Sequence, residues 1–227
     1  MTVTIEKGKD WGEKGQVQID TPLAHSDADV ADLFAVEVSA DGELSLAGPS
    51  VVALLPNDDV PSSPREATNG LAKTLGARGT AEALLGEERT LLPVDLGIVT
   101  INPGSERASH LVMSSSLVVA SALWGGVTEG AMNAAFLGDW NVAPSGHPND
   151  GRFDVLRVEM RIADRLKARK RLPTGSHVPH PSISIRRLKE AEFRPASSAK
   201  LWIDGRGCGN VSVVRVRVIA DAVTLAI

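Results

Sequence analysis

The stretch "LWIDGRGCGN", residues 201–210, sets an Asp-Gly pair between two apolar runs. Asp-Gly suits a two-residue hairpin, because both central positions of that turn need positive φ. Downstream, "VSVVRVRVI" alternates, with Val214, Val216 and Val218 on one face and Arg215 and Arg217 on the other. A period of two predicts a strand with one buried face. The hairpin and the strand after it therefore predict a β-rich rear half. What Arg206 does immediately after the turn is the functional question.

Outward from this point the texture is constant back to about residue 91. "LLPVDLGIVTI", "SHLVMSSSLVVASAL", "TEGAMNAAFLG", "FDVLRVEM", "HPSISIRRLKEAEFR" and "SAKLWIDG" are strand-like and separated by Gly, Pro or Asn. The triple serine at 114–116 reads as a strand edge. One helix interrupts the set, "RIADRLKARKRL", with Ile162, Leu166 and Lys170 on one face. Six or seven strands with one helix predict a β-sandwich with a helical crossing. The front is smaller and mixed. "MTVTIEKG" and "QVQID" read as short strands or arms. "SDADVADLFAVEV" predicts a short helix capped by Ser26 or Asp27. "DGELSLAGPSVVALLP" predicts a turn and then a buried strand ending at Pro56. "NDDVPSSPREATN" is a two-proline loop, and "ATNGLAKTLGARG" and "TAEALLGEE" have helical spacing that stops at glycines.

Composition bounds the class. The chain has 227 residues, 43% hydrophobic and 23% charged, as a globular protein does. Its single cysteine, Cys208, cannot form an internal disulfide, which fits a reducing compartment. No signal peptide is expected from the charged first residues, and "LVVASALWGGV" at 117–127 is too short to span a bilayer. A soluble, cytoplasmic protein without a transmembrane segment is expected. The net charge of −4 hides an asymmetry: residues 1–60 hold twelve acids against three lysines, and residues 157–194 hold eleven Arg or Lys against four acids. Such a run is usually a solvated face. The alternative is a surface for phosphate, anionic lipid or an acidic partner. Nucleic acid is not expected, because aromatics for base stacking stand only at its margins, Phe153 and Phe193.

Four motifs in the rear half occur in register with a known family. "FLGDWNVAPSGHPNDGRFDVLRV", "RLPTGSHVPHPSISIRR", "LWIDGRGCG" and "VRVIADAVTLAI" together resemble the diacylglycerol kinase, sphingosine kinase and NAD kinase-like superfamily, especially its YegS-like lipid kinases. In front, "VVALLPNDDVPSSPREATNGLAKTLG" resembles that family's "LGILPLGTGNDFARSLG" pattern with an insertion; Asn69 takes the family's Asn, while Gly70 stands where it has Asp. The resemblance implies a mainly β fold with some α: an NAD kinase/diacylglycerol kinase-like β-sandwich over 91–227, and a degenerate α/β remnant of the nucleotide-binding domain over 1–90.

The resemblance also shows what is missing. The family's "GGDGT" nucleotide loop, whose glycines admit phosphates to the backbone, is not found; "SADGELS" at 39–45 reads as a turn. Where the family keeps an acid after Asp-Gly as general base, this chain has Arg206, and a guanidinium cannot accept a proton at physiological pH. Asp204 is the weak substitute, and otherwise stabilises the turn. The resemblance further implies a magnesium ligand at Asp150, helped by the carbonyls of His147 and Arg152; the plain reading of Asp150 is a turn cap. His177 and His180 in a proline-rich loop read as structural, since a zinc site needs further ligands. Cys208 reads as a bystander thiol.

These readings predict a catalytically degenerate lipid-kinase-like protein, a pseudoenzyme that binds a lipid head group, a phosphate metabolite or a protein. Candidate ligand-binding residues are Asn69, Arg206, His177, Arg186 and Arg187, with no cofactor. The alternative is an active diacylglycerol or sphingoid kinase using ATP and Mg, completed by a partner chain. A third reading is a self-associating subunit that pairs through an open sheet edge.

Overall fold

In the computed structural model, residues 11–56, 69–121 and 126–227 are described. The "MTVTIEKG" strand and the two-proline loop fall outside these, apart from residues at the segments' ends. In chain order the front comprises β1 (Glu13–Gln16), β2 (Leu23–Ala24), α1 (Asp27–Asp32), β3 (Ala35–Val38), β4 (Leu44–Ala47), β5 (Val51–Leu54), α2 (Gly70–Leu75) and α3 (Ala81–Leu84). The rear begins with β6 (Glu88–Ile101), β7 (Ser109–Met113), β8 (Ser116–Ala120), β9 (Thr128–Met132), β10 (Phe136–Leu137), β11 (Trp140–Asn141) and β12 (Phe153–Val158). It ends with α4 (Ile162–Arg169), β13 (Ile183–Leu188), β14 (Glu190–Phe193), β15 (Ala199–Ile203), β16 (Arg206–Val211) and β17 (Val214–Ala226).

Two sheets pack face to face. The first has the order β1-β6-β17-β5-β2, with β7 added to β6 and β14 to β17; the second has the order β13-β12-β9-β8-β15-β16. Their inner faces meet through Val99, Val214 and Val216 of the first sheet and Leu117, Phe153 and Leu201 of the second. Side chains alternate across a strand, so Val118, Gly130 and Leu156, which form one register row, face the other way. That outer face is covered in part by Ala143 and its neighbours, and the rest faces α4 across a cavity. Burial on both faces explains why β8 is apolar throughout after its serine.

β17 joins the two halves. Its first part pairs with β14, its register against β6 shifts between Ile219 and Val223, and its last residues run parallel to β5. Asp221 sits inside that shift with φ +51°. The parallel strands β2 and β5 are each followed in the chain by a helix, α1 and α2, and pack a second core of Val30, Val52, Leu54, Leu71, Leu96 and Leu225. Front and rear thus share one sheet.

Several expectations hold locally. Ser26 caps α1, its Oγ accepting the Asp29 N–H at 3.1 Å. α2 stops at Gly76, whose φ of +71° is the left-handed C-terminal stop that glycine permits. Asp204 and Gly205, with φ of +48° and +82°, form the two-residue turn of the β15–β16 hairpin. Two readings are corrected. "QVQID" is not a strand; the paired arm is Glu13–Gln16, whose ladder to β6 ends where Val17 turns into the core. The triple serine is not a strand edge: Ser114 and Ser115 form the buried bend where the chain leaves the first sheet and enters the second.

Phe153 is fully buried between the sheets, its ring against the Cα of Gly97 and beside Met113. Phe153→Ala is expected to cost about 3–5 kcal/mol. The check is a lowered urea midpoint; a midpoint within error of the parent's would contradict this core.

Candidate functional site

The site grows from the crossing bend. The Asp204 carboxylate accepts three consecutive backbone N–H bonds, from Ser114, Ser115 and Ser116, each at 2.8 Å. Its own N–H donates to the Ser116 carbonyl at 2.8 Å. Successive amides around one anion form a compact nest, and Asp204 is 1% exposed. Beside it, Ser114 Oγ donates to the Asp27 carbonyl at 2.7 Å, and the Asp27 carboxylate accepts the N–H groups of Gly70 at 2.7 Å and Leu71 at 3.0 Å. Asn133 completes the knot, its amide donating to the carbonyls of Asp95 at 2.6 Å and Ser114 at 2.8 Å. Burial, and then the Asp204 charge, push the Asp27 carboxyl up to about 8. Burial raises Asp204 as well, against the opposing pull of its three amides.

Arg206 closes the exposed rim of this knot. Its guanidinium meets the Asp32 carboxylate at 2.6 and 2.7 Å and lies 3.7 Å from Asp29, which ties the hairpin to α1. Asn69, buried, precedes α2 on the same side. A side chain at Gly70 would collide with Ser115 Oγ and the Phe136 carbonyl, so no acid fits there. Asp27 is the residue that sequence reasoning treated only as a cap. Its partners lie 43 and 44 residues away, so no local pattern announces them.

The turn from β2 into α1 stands where parallel-sheet proteins place phosphate loops, at the carboxyl end of a strand and the start of a helix. Here it reads His25-Ser26-Asp27-Ala28-Asp29, without glycine. Two of its donors are taken: the His25 N–H by Asp29 at 3.0 Å, and the Asp29 N–H by Ser26. The first amides of α2 are held by Asp27. Asp29 and Asp27 thus hold three of the amides at these two helix starts.

The other predicted residues lie elsewhere. Asp150 Oδ1 accepts the Arg152 N–H at 3.0 Å, and its Oδ2 lies 3.7 Å from the Arg187 guanidinium. One Asp150 oxygen is thus held by a backbone N–H and the other faces a cation; among the described residues no group of three or more His, Cys, Asp or Glu is arranged to hold a metal. Arg187 is structural, holding Asp154 at 3.3 Å and the Ser145 carbonyl at 2.6 Å. The nearby Asp95 accepts the Gly151 and Asp221 N–H groups, and burial lifts its pKa to about 6. Arg186 is exposed on the edge strand β13. Burial pushes the Cys208 thiol up, so it is no activated nucleophile.

His177 belongs to a third place, a cavity of about 620 Å³ between the outer face of the second sheet and α4. Val118, Leu156 and Val158 line the strand side, and Leu166 and Leu172 come from α4 and the turn after it. His177 is buried there, its Nε2 3.3 Å from the Val142 carbonyl and its pKa lowered by desolvation. The rim is pinned by cations. Arg165 donates to the carbonyls of Met160 and Gly126 and to Thr128 Oγ1, and Arg169 lies over the Trp140 ring at 5.5 Å. The structure therefore groups Asn69 with Asp204 and Arg206, Asp150 with Arg187, and leaves His177 and Arg186 apart.

No family model matches the sequence, and no curated protein matches it. Solved structures do. A protein assigned as a diacylglycerol kinase of Bacillus anthracis str. Sterne superposes with a TM-score of 0.53 at 11% identity, over 78% of this chain and 69% of that one. A second structure so assigned, from the same organism, gives 0.52 at 9% identity, over 78% and 76%. The chain has the diacylglycerol kinase-like fold, rich in β with few helices.

Because burial lifts the folded-state pKa of Asp27 above its ordinary 3.8, its contribution to stability is complete below 3.8 and is lost as pH rises toward 8. Asp27→Asn cannot titrate there, although its amide N–H₂ faces a backbone donor at every pH. Relative to that variant, the parent is expected to lose up to about 1 kcal/mol per pH unit across the window. Urea midpoints at several pH values check this; parallel profiles would refute it.

Proposed function

We propose that this chain is a lipid-kinase-like protein that has lost catalysis and binds an amphiphile in the cavity beneath α4. Residues 91–227 are the retained sandwich, and residues 1–90 the remnant of a nucleotide-binding part. The observation that carries the reading is a contrast within one molecule: an apolar cavity of about 620 Å³ is open, while the acids around the Asp204 knot are all committed. A general base must reach the hydroxyl it deprotonates. Asp204 is sealed under three amides, and Arg206 occupies the next position but one with a permanent positive charge.

The cavity supports a lipid over a free phosphate metabolite. Its lining is mostly aliphatic, with Thr128, Glu129, His177 and the pinned Arg165 and Arg169 as the polar groups, and Glu129 is paired with Arg157 outside it. Few polar groups on an apolar wall suit a chain with one polar end. Arg165 and Arg169 at the rim suit an anionic or hydroxylated head group.

Two measurements test the reading. Purified full chain with Mg-ATP is expected to show no phosphorylation of diacylglycerol or sphingoid base, and no thermal stabilisation; a nucleotide site at a hundredfold excess over its Kd would add about 2.7 kcal/mol. A fluorescent short-chain acyl probe is expected to bind the parent and to bind Val158→Trp about tenfold more weakly, because an indole fills the space beside Leu156. Robust turnover, or probe binding indifferent to Val158→Trp, would overturn the reading.

A further inference from the structure

We infer that β13 is a docking edge for an extended segment of a partner protein in which apolar and acidic residues alternate. The segment adds antiparallel as one more strand of the second sheet, in which every pairing is antiparallel. Peptide binding there needs no amphiphile in the cavity beneath α4, although Ile183 borders both.

β13 ends the second sheet, and all six of its residues pair with β12 in unbroken register. The opposite edge, β16, is interrupted by a register shift and carries Gly207 and Gly209. Just beyond the Val158–Ile183 pair, the Glu159 N–H donates to the Ser182 carbonyl at 3.0 Å. Hydrogen-bonded pairs alternate along an antiparallel ladder. Ser184, Arg186 and Leu188 therefore turn their backbone groups toward β12, and Ile185 and Arg187 turn theirs away. The Ile183 N–H, also outward, is taken by the His180 carbonyl at 3.0 Å. Past it, the N–H and carbonyl groups of Ile185 and Arg187 meet no further strand among the described residues. Such an edge is a template for another strand.

Side chains select the occupant. Ile183 and Ile185 share the outer face with their register partners Val158 and Leu156. With Val178, Pro179 and Pro181 they form a shallow apolar groove, and Ile185 is 38% exposed. A strand residue set opposite Ile185 points into this groove, which suits an apolar side chain. Its neighbours in the strand point to the other face, where Arg186 is exposed, with Lys189 exposed just past β13. Acids close by are already answered: Asp154 by Arg187 at 3.3 Å, Glu159 by Arg157 at 3.6 Å and Glu190 by Arg215 at 3.4 Å. Among the described residues no ion pair engages Arg186 or Lys189. A second copy is the poorer match, because two β13 edges paired about a two-fold axis bring Arg186, Arg187 and Lys189 near their own equivalents. The same cations that oppose self-pairing attract an acidic strand.

The test is fluorescence anisotropy of the full chain with a labelled decapeptide of alternating Val and Glu. It is expected to bind, more weakly as salt rises, while the Val-Lys counterpart does not bind. Opposite Ile185 an antiparallel valine turns its own N–H to β13. N-methylation of the valines is therefore expected to abolish binding, and N-methylation of the glutamates to leave it. The double variant Arg186→Glu, Lys189→Glu is expected to weaken binding about tenfold. Ile185→Pro removes one outward donor and no bond to β12, and proline is tolerated on an edge; it is expected to weaken binding about tenfold with an unchanged circular dichroism spectrum. Should Ile185→Pro unfold the chain, the two N-methylated peptides decide on the parent alone. No binding of the Val-Glu peptide, any other pattern between its two N-methylated forms, or equal binding by parent and charge-reversed chain would sink the proposal. So would light scattering that shows a dimer of the free chain dispersed by Ile185→Pro.

Discussion

Three backbone N–H groups converging on the Asp204 carboxylate hold the two sheets to each other. The chain crosses from β7 to β8 in two residues, too few to carry its amides to solvent. Each amide left buried without a partner would cost about 1–3 kcal/mol. One carboxylate answers all three, and its residue also supplies the positive φ of the β15–β16 turn. The arrangement costs something, because two carboxyls are buried side by side, and burial together with the Asp204 charge raises Asp27. The cost is spread: Asp27 is answered by the first amides of α2, and Asn133 by two carbonyls. The sheet crossing, the helix start and the hairpin are therefore one cooperative unit.

That unit commits the buried acids to packing within a diacylglycerol kinase-like fold. Acids that serve packing cannot also exchange protons with a substrate. Arg206 fits the same logic, since its partners Asp29 and Asp32 belong to α1 and the pair lies half-exposed at the rim. Exposed pairs of this kind contribute roughly 0.2–1 kcal/mol, too little to make Arg206 indispensable for stability. Its charge is permanent, and a guanidinium at this rim accepts no proton at physiological pH.

What the sequence disclosed was local. The Asp-Gly turn, the Ser26 cap, the glycine stop after α2 and the alternation of β17 are signals within a few residues, and each is present as read. The knot was not legible, because Asp27 and Asp204 find their donors 43 to 90 residues away. A triple serine carries no mark that its amides, more than its hydroxyls, matter. The apolar run of β8 signalled burial on both faces, but only the register of β8, β9 and β12 shows which row faces α4. For α4 the periodicity was correct and its usual consequence failed: the apolar side is not covered by the rest of the domain.

The basic segment shows the same division at the level of charge. Composition treats residues 157–194 as one cationic run, yet its members do different things. Arg157 pairs with Glu129 at 2.7 Å, Arg165 fastens α4, and Arg187 spans Asp154 and Ser145, so these are internal struts. Lys167, Lys170 and Arg171 project from the end of α4 and the residues after it. Lys167 also pairs with Asp164 at 3.4 Å. Near α1 the acids Asp27, Asp29 and Asp32 are bound to α2, His25 and Arg206. The charge asymmetry of the sequence thus resolves into an acid-rich end closed on itself and a cationic end turned outward.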